Sequence, residues 1–172
     1  MTRAVLAFAL LMAAASPAAA GAGSCDRGCL VTDMNRWLEA LPKHSAQGLP
    51  LAKDIRFTEQ AAAIPVGDGL FISATQGPTT FKIIAADPVS GQVGALAMMK
   101  QWDKPVLVGI RLKVVDGKIA EAEHVIATSF FPGGLKNLVT PRQAFLDDVP
   151  EAERTSRAEM LVAADAYYQA LE

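Results

Sequence analysis

From Cys29 to Leu41 the apolar residues Leu30, Met34, Trp37, Leu38 and Leu41 recur at spacings of four, three, one and three. That spacing gathers them on one stripe of an amphipathic helix, which Pro42 and the polar stretch KHSAQGLP bring to an end. DIRFTEQ then alternates as a short strand, and IPVGDGLF carries the Pro and Gly punctuation of a turn. After it the period changes. TTFKIIAA, QVGALAMMKQW, KPVLVGIRLKVV and KIAEAEHVIATSF read as four strands, with hairpin material between them in DPVSG, DK and DG. FFPGGLKNLVTP reads as a loop. From Pro150 the pattern is helical, with Met160, Ala163, Ala164, Tyr167 and Leu171 along one side. A helix, a connecting region, a curved antiparallel meander and a terminal helix predict a single α+β domain.

The first twenty residues stand apart. MTRAVLAFALLMAAASPAAA has a basic start at Arg3, an apolar run from Ala4 to Ala15 and an A-x-A site at Ala18 and Ala20. This is the pattern of a signal peptide cleaved after Ala20, leaving residues 21–172 as the domain and a periplasmic or secreted location. The apolar run is too short to span roughly 30 Å of hydrocarbon, and no later run approaches membrane length, so no membrane anchor is expected. The chain carries 16 basic and 18 acidic residues, for a formal net charge of −2. That weak and unsegregated charge argues against a nucleic-acid partner. An oxidising compartment favours pairing of the only two cysteines, Cys25 and Cys29. A regular helix holds residues four apart too widely for a disulfide, so a bond requires Cys25 to lie outside the helix or the first turn to be distorted. Free thiols are the alternative, and no further soft ligands support a metal site.

The stretch RLKVVDGKIAEAEHVIATS poses a question of register. A two-residue Asp116-Gly117 turn would mix charged and apolar residues on both faces of the hairpin. A three-residue Val115-Asp116-Gly117 loop places Arg111 opposite Glu121. It collects Ile110, Leu112, Val114, Ala120, Ala122, His124 and Ile126 on one face. Burying unpaired glutamates costs more than a cross-strand ion pair contributes, so this second register is expected. His124 then points inward, with alanines beside it. A lone inward histidine serves either as a hydrogen-bonded core residue or as a pocket acid or base, and both roles stay open.

Taken together, CDRGCLVTDMNRWLEALP, PLAKDIRFTEQ, VGDGLF, DPVSGQVG and RLKVVDGKIAEAE resemble an uncharacterised domain family of secreted fungal and bacterial proteins. That family stands near the nuclear-transport-factor-like, polyketide-cyclase-type cone folds, and the resemblance covers residues 25–171. Two departures stand out. Glu59-Gln60-Ala61 replaces a family Glu-Asn-Gly, and many members continue beyond the point where this chain stops. The resemblance implies a curved sheet wrapped around the N-terminal helix and a blind apolar pocket at the wide end.

In such a pocket the chain would bind a small apolar molecule. Turnover, if any, would be cofactor-free acid–base chemistry of the isomerase, dehydratase or lyase kind, centred on His124 with Glu59 or Asp33 assisting. Trp102, at the KQWDKP turn, is a candidate rim residue, and Phe71 and Tyr167 are candidate wall or core residues. The alternatives are ligand binding without turnover and an interaction domain that pairs with a second copy through the outer sheet face. Fold alone does not choose among these. The sequence offers no ordered Ser-His-Asp set, P-loop or dinucleotide motif.

Overall fold

The computed structural model describes residues 25–171. The expected signal peptide and its cleavage site lie outside the described residues. Helix α1 spans Arg27–Ala40 and begins at Asp26, whose side chain accepts a hydrogen bond from the Cys29 N–H. The strands are β1 (Leu51–Glu59), β2 (Ala62–Ala63), β3 (Ala74–Gln76), β4 (Lys82–Asp87), β5 (Gln92–Gln101), β6 (Lys104–Val115) and β7 (Lys118–Ala127). A one-turn helix, α2 (Leu70–Ser73), precedes β3, and α3 (Arg157–Gln169) closes the chain.

All seven strands join one sheet in the order β2-β1-β7-β6-β5-β3, with β4 also pairing with β5. The four strands expected from the alternating segments form the antiparallel meander β4-β5-β6-β7. β1 then adds to β7 in parallel, which makes the curled sheet mixed. Its inner face packs on α1 through Val93, Ala95 and Ala97 of β5, Val108, Ile110 and Leu112 of β6, and Ile119, Ala122 and Ile126 of β7. Leu30, Met34, Trp37, Leu38 and Leu41, the stripe legible in the sequence, are all buried against it. The result is an α+β half-barrel around the N-terminal helix.

The β6-β7 hairpin corrects the expected register. Its turn is the two-residue Asp116-Gly117 form, with φ of 49° and 70° and Val115 paired with Lys118. Such a mirror-image turn matches the right-handed twist of the strands, and Asp-Gly is well suited to it. The register then slips between Lys113 and Val114, so Val114 pairs with Ile119 while Lys113 pairs with Glu121. This bulge uses up Ala120. Ile119, not Ala120, takes the inward place at 0% exposure, and Arg111 pairs with Glu123. The turn preference and the segregation of charge are both satisfied, at the expense of one unpaired residue.

On the outer face the Arg111 guanidinium donates to both Glu121 and Glu123, and Arg56 reaches the same two carboxylates. The hydrogen bond from Arg111 is the largest cause holding Glu121 at a pKa of about 2, against 4.5 ordinarily. A carboxylate whose folded pKa is depressed contributes stability above its unfolded value and loses it as the pH falls. Between pH 4.5 and about 2 the protein should therefore lose stability, and Arg111→Met should flatten that slope in urea melts taken across the range. Some slope will persist, because Asp87 is also held at about 2, chiefly by Arg157.

The turn between β1 and β2 holds Gln60 and Ala61 at φ of 51° and 64°, in the left-handed region. Asn-Gly adopts this conformation readily, but alanine pays a steric penalty of roughly 1–2 kcal/mol. Here the Gln60 amide group compensates by donating to the Ile126 carbonyl at 2.9 Å and accepting from its N–H at 3.0 Å. Ala61→Gly should raise stability by about 1 kcal/mol, read as a gain of roughly 2–4 °C in melting temperature. A loss would show that the turn is not strained.

Candidate functional site

His124 lies on β7 and is 1% exposed. Its Nε2 accepts the indole N–H of Trp37 at 2.8 Å, and its Nδ1 faces Glu59 Oε2 at 3.1 Å. An Nε2 that accepts leaves the proton on Nδ1, which fixes the neutral tautomer donating to Glu59. Glu59 Oε2 also accepts the Leu70 N–H at 2.9 Å. Trp37, His124, Glu59 and the α2 backbone therefore form a continuous polar path across the interior.

Each link follows from local structure. Trp37 belongs to the buried α1 stripe, and a buried indole N–H needs an acceptor. Glu59 is brought to His124 because β1 runs parallel to β7, pairing these two residues directly. Gly69, at φ 61°, makes the close approach possible: a Cβ there would overlap the Glu59 carboxylate. The space around the imidazole is filled by aromatic edges, with the Phe57 ring 4.8 Å and the Trp37 ring 5.8 Å away. Phe71 stacks edge-on to Trp37 at 5.3 Å and is completely buried.

The candidates read from the sequence thus separate. His124, Glu59 and Phe71 meet at the polar path, with Phe71 as core. Asp33 is buried on α1 but turns to Cys25 and Arg36. Trp102 sits in the two-residue β5-β6 turn with 64% exposure, and Tyr167 is 63% exposed on α3. Tyr167 therefore forms neither core nor pocket wall, because α3 buries none of its side chains. Trp37 was visible in the sequence only as a stripe residue, although its unpaired indole donor was a signal that a polar partner had to be near.

Cys25 and Cys29 are joined by a disulfide with their Cα atoms 5.2 Å apart. Cys25 precedes the helix, which relieves the spacing problem of a regular turn. Asp33 Oδ2 lies 4.0 Å from Cys25 Sγ, and Arg36 is 3.6 Å from the other carboxylate oxygen. Burial raises the Asp33 pKa above its ordinary value, with Arg36 opposing the shift.

On the outer sheet face a groove of about 400 Å³ is lined by Ile83, Ala85, Gly94, Leu96, Gly109 and Val125, with Arg111 and Glu123 also lining it. No helix among the described residues is long and apolar enough to cross a membrane.

No protein-family model matches the sequence, and no curated protein matches it. Among solved structures, the chain is similar to a provisionally assigned ketosteroid isomerase from Kribbella flavida DSM 17836, at 15% identity and a TM-score of 0.49. That match covers 75% of this chain and 96% of the other. AclR, a provisionally assigned hydroxylase from Streptomyces galilaeus, gives 14% identity and a TM-score of 0.47 over 83% of this chain and 98% of its own. A de novo designed protein with a curved β-sheet gives 12% and 0.47 over 59% and 88%. None of these likenesses carries an activity to this chain.

His124→Ala should lower the melting temperature clearly. It removes a buried ring and strands two polar partners, a combined cost of about 3–5 kcal/mol. Scanning calorimetry of the two proteins side by side checks this. An unchanged melting temperature would show that the imidazole is not held for stability.

Proposed function

We propose that the chain is exported and acts by association, pairing with a second copy of itself rather than performing acid–base chemistry in the cone interior. Two features weigh against interior catalysis. Both His124 nitrogens are already engaged by protein, and aromatic side chains occupy the volume a substrate would need.

The observation that carries the pairing is the C-terminal arm that follows β7. Every residue described in α3 is exposed, and the arm displays Phe131, Phe145, Leu146, Met160, Leu161, Val162, Tyr167 and Tyr168 to solvent. Its ties to the sheet are polar: Thr80 donates to the Val139 carbonyl, and Arg157 to Asp87 at 2.7 Å. So many exposed large apolar side chains on one short segment are unusual for a soluble monomer. The outer groove offers a complement, because Gly94 and Gly109 leave its floor open and Leu96 and Val125 stand exposed. Its flanking charges, Arg111 with Glu121 and Glu123, are already balanced, which suits a self-complementary contact. The arm of one copy laid on the outer face of the other would cover both surfaces.

A second reading is favoured by the size of the groove, which falls within the range that holds small ligands. In that case the occupant is a small apolar molecule and the chain need not pair.

Sedimentation at rising concentration should give the mass of two chains for the purified protein. Val125→Glu and Leu161→Glu should each return it to one chain while keeping the circular dichroism of the folded protein. One chain at every concentration would defeat the pairing, and a melting temperature raised by apolar ligands in that monomer would support the second reading.

A further inference from the structure

The start of α1 carries an arrangement that pairing does not use. Cys25 and Asp33 are 8% and 4% exposed, and Asp33 Oδ2 is directed at Cys25 Sγ, 4.0 Å away. A disulfide sulfur has no hydrogen to donate. In the oxidised protein this buried carboxylate oxygen therefore faces the sulfur without a donor from it, while Arg36 approaches only Oδ1. Reduction would place an S–H opposite that oxygen. The partner sulfur differs in every respect. Cys29 is partly exposed and occupies the third position of α1, where the helix N-terminus favours a thiolate. A bridge between residues four apart closes a short loop, so it constrains the unfolded chain less than a long-range bridge would.

We infer that Cys25 and Cys29 are a redox-active pair that exchanges with an external thiol–disulfide couple, with Asp33 as the internal proton donor and acceptor. An incoming thiolate attacks the sulfur of Cys29, the less buried of the two residues. The Cys25–Cys29 bond breaks, a mixed disulfide forms on Cys29, and Cys25 leaves as a thiolate. That thiolate is protonated through Asp33, which relays a proton from water by Oδ2, 4.0 Å from the sulfur. A second external thiolate then attacks the external sulfur of the mixed disulfide. This releases Cys29 as a thiolate and the external couple as its disulfide. Two electrons enter the protein and two external thiols are oxidised. In the reverse direction Asp33 takes the proton from Cys25 as it attacks.

The purified protein, equilibrated in EDTA with buffers of reduced and oxidised glutathione and then alkylated, reports the reduced fraction by mass. A second arm offers the reduced protein to the disulfides of insulin, which separates a small-thiol couple from a protein one. The expected result is a reduced fraction that follows the glutathione ratio. Asp33→Asn should exchange about tenfold or more slowly while keeping its melting temperature, in line with the size of acid–base contributions. A disulfide that stays oxidised in excess reduced glutathione, or an Asp33→Asn rate equal to wild type, overturns the inference. The titration of the unsubstituted protein decides the first point even if Asp33→Asn fails to fold.

Discussion

The hydrogen-bonded path from Trp37 through His124 to Glu59 and the Leu70 N–H is the constraint on which the rest of the fold depends. It ties α1, β7, β1 and α2 together at one point inside the apolar core. Each of its groups would be costly to bury alone, and together the Trp37 indole N–H, both His124 nitrogens and Glu59 Oε2 partner one another. The path also sets what surrounds it. Gly69 must lack a side chain for Glu59 to fit, and Gln60 must continue the β1 edge through its amide contacts with Ile126. A polar path this fully satisfied specifies a unique packing, and by the same token it leaves the imidazole no free lone pair for a substrate.

Two further features lie at the periphery. The outer sheet face is divided between a charged end, where Arg56, Arg111 and Lys113 meet Glu121 and Glu123, and an apolar groove floored by glycines. The arm beyond β7 presents an apolar surface and almost no packing. At the start of α1 the disulfide and Asp33 form a small cluster, with Cys25 and Asp33 buried and Cys29 partly exposed, whose members are all within reach of one another. The disulfide and Asp33 share no residue with the outer face or the arm, so association and sulfur exchange can coexist on one scaffold.

Much of this architecture was legible in the chain. The α1 stripe and the four meander strands follow from periods of 3.6 and 2, because one-sided burial leaves that imprint directly. The inward placement of His124 was also readable from charge segregation, although the supposed means was a longer turn. A bulge leaves no compositional mark of its own, so Ala120 could not be singled out. The parallel pairing of β1 with β7 was invisible, since nothing local in DIRFTEQ records a partner more than sixty residues away; Glu59 was named beside His124, but not the strand pairing that brings the two into contact. Asp33 was picked out as a companion of His124 but turns to Cys25 and Arg36, because helical spacing tells which face a residue shares and not what covers it. The helical pattern of α3 was correct, yet an apolar stripe reports a need for burial, not whether the same chain meets it.

The parallel pairing has a consequence for how the chain comes into being. β1 is made early and β7 late, and β1 has only the two-residue β2 beside it until β7 arrives. Phe57, one of the rings around His124, lacks the imidazole it packs against throughout that interval. At synthesis rates of about 5–20 residues per second the wait lasts several seconds. A chain threaded across a membrane would spend the same interval with an adhesive strand waiting on the far side. The order of emergence, rather than the strength of any contact, makes β1 the segment that a folding helper would have to shield.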